Sequence, residues 1–314
     1  MRIRPIVIAG VALTLGLTPG LTACGTEGSS GGQGGVKLGM TVSTLNNPFF
    51  VQLRDGAQEQ ARESGAALTV TDAQNDSSQQ VNQVQNFVSQ NMKAIIINPV
   101  DSNAAAPAVT AAERAGIPVI AADRGVVGAE VAQTVASDNV AGGKLGAEEL
   151  ARLMGEKGQV VVLQGTPGTS ASRDRGQGFE EGIKAFPNIK VVARQPADFD
   201  RTKGLDVMTN LLQAHPDVTG VFAENDEMAL GAIKALGNRA GAEVKVVGFD
   251  GTPDGLAAVR DGTMSATVAQ QPRLLGQQAV LSAIAAAAGE SLEKTRPVPV
   301  KVATKENVAE FQPS

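Results

Sequence analysis

The stretch VKLGMTVSTLNNPFFVQLRDGAQEQARES (36–64) decides how the rest of the chain is read. Its first part, VKLGMTVS, is a short apolar run of strand length. Its last part, PFFVQLRDGAQEQARES, is amphipathic and of helix length. Asn47 is placed to cap that helix, and Pro48 to occupy its first position, where a missing N–H costs nothing. A strand that hands over to a helix within a few residues opens a βα unit. The chain has no Trp, no Tyr and nine Phe, yet it sets Phe49 and Phe50 together at this handover, beside two Asn and a Pro. The pair reads either as core at a helix start or as flat apolar faces beside polar groups, suited to something flat and hydroxylated.

Downstream the alternation continues. ALTVTD, KAIIIN and IPVIAAD read as strands, with SSQQVNQVQNFVSQN and NAAAPAVTAAERAG as the helices between them. In the first of these helices Val81, Val84 and Val88 share a face. A second series follows: strands QVVVLQG, IKVVARQ, TGVFAEN and EVKVVGFD alternate with helices RDRGQGFEEGIKAF, TKGLDVMTNLLQAH and DEMALGAIKALG. The strands are continuous apolar runs, the mark of parallel sheets covered by helices on both faces. The fold class is therefore α/β with two similar lobes. In the first series strands end at Asn98 and Asp123, in the second at Asn225 and Asp250, 25 residues apart in both cases. The carboxyl ends of such strands are where doubly wound sheets bind ligands. The equal spacing also fits two βαβ units of ordinary length.

The polar and aromatic residues expected at strand ends form one chemical set. Ser43, Asn47, Phe49, Phe50, Asn98, Asp123 and Arg124 come from the first series, and Arg175, Phe199, Asn225 and Asp250 from the second. A sugar hydroxyl both donates and accepts, so its site needs carboxylates, guanidinium forks and amides together. Two Asp balance two Arg, which leaves a neutral ligand no uncompensated charge to meet. The duller readings are a surface pair for Asp123–Arg124 and a solvated helix face for Arg173, Asp174 and Arg175.

Other functions fare poorly. The formal charge of −5 becomes about −7 without Arg2 and Arg4, which argues against a nucleic-acid partner. AENDE (223–227) without His or Cys suits no transition metal and lacks Ca²⁺-loop spacing. AGGKLG lacks Walker spacing, GxSxG is absent, and no His stands beside a nucleophile; the single His215 punctuates a loop. GTPGTSASR precedes a helix and is Gly-rich, but matches no nucleotide fingerprint. No enzyme activity and no cofactor are expected.

The N-terminus reads as an address. Arg2 and Arg4 precede PIVIAGVALTLGLTPG, an apolar run too short and too broken for a membrane span. LTAC (21–24) looks like a bacterial lipobox, with Cys24, the chain's one cysteine, as the lipidation site. Residues 1–23 are then a lipoprotein signal peptide. GTEGSSGGQGG, within residues 24–35, reads as a flexible tether. This implies a protein held through lipid at the outer face of a cell membrane, or in a periplasm.

From STLNNPFF onward the sequence resembles the ribose-binding members of the periplasmic sugar-binding protein family, the substrate-binding components of sugar ABC importers. INPVDS, ASDNVAGGK, LQG, GTSASRDRGQGF, QPADFDR, AHPDV, NDEMALGA, VVGFDGTPDG and ATVAQ carry the resemblance in order, from Val36 to about Lys301. It implies two Rossmann-like lobes, the type I periplasmic binding protein fold, joined by a three-segment hinge with the ligand in the cleft between them. The lobes would be 36–137 with 271–299, and 138–270 with 300–314, crossing near 137–138, 270–271 and 299–301. The resemblance implies D-ribose as ligand. The matching positions are Ser43, Asn47, Phe49, Phe50, Asn98, Asp123, Arg124, Arg175, Phe199, Asn225 and Asp250, with Gln270 at a hinge crossing. The implied partners are an ABC permease with its cytoplasmic ATPase and, additionally, a chemoreceptor or sensor; a monomer is expected. A receptor for another small sugar or a furanosyl signal molecule, a sugar-responsive repressor, and a sugar-acting lyase or hydrolase are the rival readings. The repressor would need a DNA-binding segment where the leader and tether lie.

Overall fold

The computed structural model describes residues 35–311. The expected leader, the Cys24 lipidation site, the tether up to residue 34 and the last three residues lie outside them. The first elements are β1 (Lys37–Val42), α1 (Pro48–Glu63), β2 (Ala67–Asp72), α2 (Ser77–Ser89), β3 (Ala94–Ile97), α3 (Ala106–Arg114), β4 (Val119–Ala122) and β5 (Gln133–Ser137). Then come α4 (Asn139–Leu153), β6 (Gly158–Gln164), α5 (Ser170–Ile183), β7 (Ile189–Pro196), α6 (Arg201–Ala214), β8 (Gly220–Ala223), α7 (Asp226–Leu236), β9 (Lys245–Asp250), α8 (Pro253–Asp261) and β10 (Ala266–Ala269). The last of these elements are α9 (Pro272–Ala287), β11 (Thr295–Val298) and β12 (Lys301–Thr304), followed by a short 3-10 turn (Val308–Phe311).

Two six-stranded sheets result, ordered β11-β5-β4-β3-β1-β2 and β12-β10-β9-β8-β6-β7. The orders correspond strand for strand, so the molecule is two α/β lobes of one design. Every pairing is parallel except β10 with β12, which run antiparallel. The chain passes from one sheet to the other three times: after β5, between β10 and α9, and between β11 and β12.

The central strands are buried along their whole length, as their uninterrupted apolar runs require. Alternate residues feed opposite faces. In the first lobe Leu38, Met40 and Ile96 pack with Leu53 and Leu275 on one side, while Ile95 and Ile97 meet Val84 and Phe87 on the other. Val84 and Phe87 are the buried anchors of α2, with Val81 and Val88 packed at the margin. The second lobe repeats this, with Val161, Val221 and Val246 on one face and Val160, Phe222 and Phe249 on the other. A side-chain cap fixes where α1 begins. The Asn47 side chain accepts from the Phe49 N–H at 2.9 Å, directly ahead of Pro48.

Candidate functional site

The two lobes present matching strand ends. Asn98 and Asp123 follow the neighbouring strands β3 and β4; Asn225 and Asp250 stand at the ends of the neighbouring β8 and β9. The two Asn do different work. Asn98 Oδ1 accepts from the Ser43 N–H at 3.0 Å, and its Nδ2 donates to the Ala122 carbonyl at 3.1 Å and to Asp123 Oδ2 at 3.2 Å. It thus knits three strand ends and aims Asp123. Asn225 caps α7 by accepting from the Met228 N–H at 2.9 Å, and donates to the Phe199 carbonyl at 3.2 Å.

Backbone strain collects here. Asp123, Phe199 and Asp250 have φ of 66°, 59° and 117°, values that non-glycine residues adopt at a cost. Gly165 makes room for the Phe199 ring, since a Cβ on it would lie 2.0 Å from that ring.

Across the cleft, Phe49 and Phe50 stand edge to face with centroids 5.2 Å apart. The Arg124 guanidinium lies 5.1 Å from the Phe50 centroid and 5.4 Å from that of Phe199, and so faces rings from both lobes. Arg175 lies 5.7 Å from the Phe199 centroid and 3.9 Å from that of Phe249. Asn47, Phe49, Phe50 and Arg124 line one cavity from the first lobe. Arg175, Phe199, Asn225 and Asp250 line it from the second, together with Ala171. Ser43, Asn98 and Asp123 are not among its lining residues; Asp123 stands beside Arg124, which is. Gln270 is not among them either, its Nε2 donating to Asp250 Oδ1 at 2.7 Å.

The charges are buried and paired. Arg124 Nε is 3.7 Å from Asp123 Oδ2, and Arg175 Nη1 is 3.4 Å from Asp250 Oδ1. Burial pushes the Asp123 carboxyl above the usual carboxylate range against the pull of Arg124 and Arg175. Asp250 is raised further, by burial and by nearby Asp226 and Asp123, against the pull of Arg175 and Gln270. Burial also lowers the Arg124 guanidinium to about 10. Asp123 Oδ1, Arg124 Nε and Gln270 Oε1 are buried without a hydrogen-bond partner in the protein. Buried polar atoms are ordinarily satisfied, so these three are candidate partners for a polar ligand.

The sequence reading missed the supporting groups. Phe249 lies beneath Arg175, and Asn139 Oδ1 accepts from Arg175 Nε at 2.9 Å. The Glu224 carbonyl accepts from Arg175 Nη1 at 2.6 Å. Asp226 Oδ2 accepts from the Thr252 N–H at 2.7 Å and its Oδ1 from Thr267 Oγ1 at 2.7 Å, which fixes the turn after Asp250. The only available signal was position: Phe249, Glu224 and Asp226 each adjoin a strand-end residue already singled out, and Asn139 follows the 137–138 crossing. The duller readings separate here. Arg173 is 58 % exposed beside Asp174, whereas Arg175 is 4 % exposed, and Asp123–Arg124 is buried rather than a surface pair. Among the described residues no group of three or more His, Cys, Asp or Glu is placed to hold a metal.

The sequence matches the family described as periplasmic binding protein domain over residues 38–291. The chain belongs to that family. It is 46 % identical to the ribose import binding protein RbsB of Bacillus subtilis, over 94 % of this chain and 98 % of that protein. It is 49 % identical to the protein of the same name from Escherichia coli K12, covering 86 % and 90 %. A Bacillus halodurans ABC transporter solute binding protein with bound myo-inositol superposes with a TM-score of 0.83 at 36 % identity, covering 89 % of this chain and 98 % of that one. A periplasmic solute binding protein from Actinobacillus succinogenes with bound D-allose gives 0.82 at 35 %, covering 87 % and 99 %. As a family member, the protein is an extracytoplasmic, sugar-binding component of the ABC-importer kind.

Proposed function

We propose that the protein captures D-ribose between its lobes and delivers it to an ABC import permease. One observation carries this reading: guanidinium forks and phenyl rings from both lobes line one cavity with the Asp250 carboxylate, and Arg124 Nε in its wall is buried without a protein partner. Asp123, Asp250, Arg124, Arg175, Asn47, Asn225 and Gln270 would hydrogen-bond the hydroxyls, with Ser43 and Asn98 supporting the first wall. Phe49 and Phe50 would cover one face of the ring and Phe199 the other. The similarity to ribose import binding proteins favours ribose over other small sugars.

In this reading the lobes are 36–137 with 271–299 and 138–270 with 300–314, and the segments at 137–138, 270–271 and 299–301 are hinges. Sugar docks on one lobe in the open form and closure adds contacts from the other, so the ligand favours the closed state by differential binding. The sugar leaves unchanged. Lipid on Cys24 would hold the protein at the outer face of the membrane. No helix among the described residues is long and apolar enough to cross a membrane.

Calorimetry with D-ribose and a panel of pentoses and hexoses tests the reading. D-ribose binds one to one with a dissociation constant on the order of micromolar or tighter and is recovered intact. A protein that ignores ribose, or that converts it, contradicts the proposal. A Cys24→Ser protein that stays as membrane-bound as the parent contradicts the anchor.

A further inference from the structure

The ligand cavity is not the only place where the lobes meet. Ser102, in the loop after β3, is fully buried, and Ser170, the first residue of α5, is buried as well. The first N–H groups of a helix have no partner within it. In α5 the Ser170 N–H finds one in the opposite lobe, donating to Ser102 Oγ at 3.1 Å. The Ser102 N–H donates back to the Gly168 carbonyl at 3.1 Å. The Gly125 N–H, in the loop after β4, donates to Ser170 Oγ at 2.9 Å. Ser102 and Ser170 line no part of the cavity bounded by Phe50 and Phe199.

Both sides of this contact are braced. The Val127 N–H donates to the Ser102 carbonyl at 2.8 Å, so the two first-lobe loops present Ser102 and Gly125 together. On the other side Glu224 Oε2 accepts from the Gly165 N–H at 2.7 Å and from the Ser172 hydroxyl, which fixes both ends of the segment carrying Gly168 and Ser170. The Asp101 side chain reaches across to the same segment. Gly168 has φ 88°, and a Cβ on it would lie 1.9 Å from Asp101 Oδ2 of the first lobe.

We infer that Ser102 and Ser170 form an interlobe latch that sets sugar affinity without touching the sugar. The inference rests on the reading that the lobes close over a ligand. The latch bonds exist only when the lobes meet, so they bias the closed state. Apparent affinity scales with the population of the binding-competent state. Each bond, of ordinary net strength, changes that equilibrium about three- to tenfold.

The test compares the purified parent with Ser102→Ala, Ser170→Ala and the double variant, using D-ribose in calorimetry and stopped-flow dissociation. Each single variant binds about three- to tenfold more weakly through faster dissociation, and its sugar-free melting temperature matches the parent's. Ser170→Ala lies at a helix start and covers the case in which Ser102→Ala, in a buried loop, does not fold. Affinities within about twofold of the parent in the serine variants overturn the latch. So does a loss of affinity matched by an equal loss of sugar-free stability. A parent that ignores D-ribose contradicts the sugar assignment alone; the comparison then runs on D-allose, L-arabinose and myo-inositol, where equal affinities of parent and variants contradict the latch.

Discussion

Arg175 reaches Asp250 across 3.4 Å, and both side chains are only 4 % exposed. Burying two charges is expensive, and their attraction repays it only with further hydrogen bonds. Arg175 has them, from the Glu224 carbonyl and Asn139, and it rests on the Phe249 ring. Asp250 has Gln270. A pair so heavily supported is built to be held in place. Removing one partner strands the other: Arg175→Ala and Asp250→Ala are each expected to lose about 3–5 kcal/mol of sugar affinity, measured by calorimetry.

Phe49 and Phe199 do separable work. Phe49 is 3 % exposed and belongs to the first lobe's core, whereas Phe199 is less deeply buried and its ring faces Arg124 and Arg175. Phe49→Ala should cost about 3–5 kcal/mol of folding stability, read as a fall in the denaturant midpoint. Phe199→Ala should lower the midpoint less than Phe49→Ala does and weaken sugar binding by about 1–3 kcal/mol.

Glu224 gives a pH signature. Its carboxyl is buried, with Oε1 unpartnered, and burial raises it from 4.5 to about 7 despite the Gly165 and Ser172 bonds. Between these values the folded protein holds a proton that the unfolded chain releases, so stability falls as pH rises through that window. The pH 5 to pH 8 fall in melting temperature should shrink in Glu224→Gln, whose side chain cannot ionise, by an amount equivalent to a few kcal/mol at most. Identical pH profiles for parent and variant would contradict this assignment.

Asp226 should act on the site from a distance. Its carboxylate holds the Thr252 N–H and the Thr252 and Thr267 hydroxyls directly behind Asp250. Asp226→Ala leaves those donors unpaired and is expected to destabilise the fold by about 2–4 kcal/mol. Thr267→Val, which removes one bond and keeps the shape, should cost about 1 kcal/mol. Chemical denaturation distinguishes the two.

Much of this architecture is legible in the chain because period and punctuation are local. The apolar run from Lys37, the Asn47 cap and Pro48 specify a strand, a turn and a helix without reference to anything distant. Asn98, Asp123, Asn225 and Asp250 were visible as polar residues closing apolar strands. Their division of labour was not. Asn98 and Asn225 occupy equivalent places, yet one binds strand ends together and the other caps a helix, because different loops approach them. Glu224 and Asp226 read as part of an acidic run, and only the tertiary fold turns them inward against Ser172 and Thr252. The interlobe bonds of Ser102 and Ser170 join residues 68 apart in the chain, and no periodicity reports such a meeting.

The account stands on capture by closure, and small-angle X-ray scattering of the purified protein, with and without saturating D-ribose, tests it most directly. Closure predicts a smaller radius of gyration with ribose, and no such contraction in Arg175→Ala at the same sugar concentration. Superimposable profiles of the parent with and without ribose would contradict it.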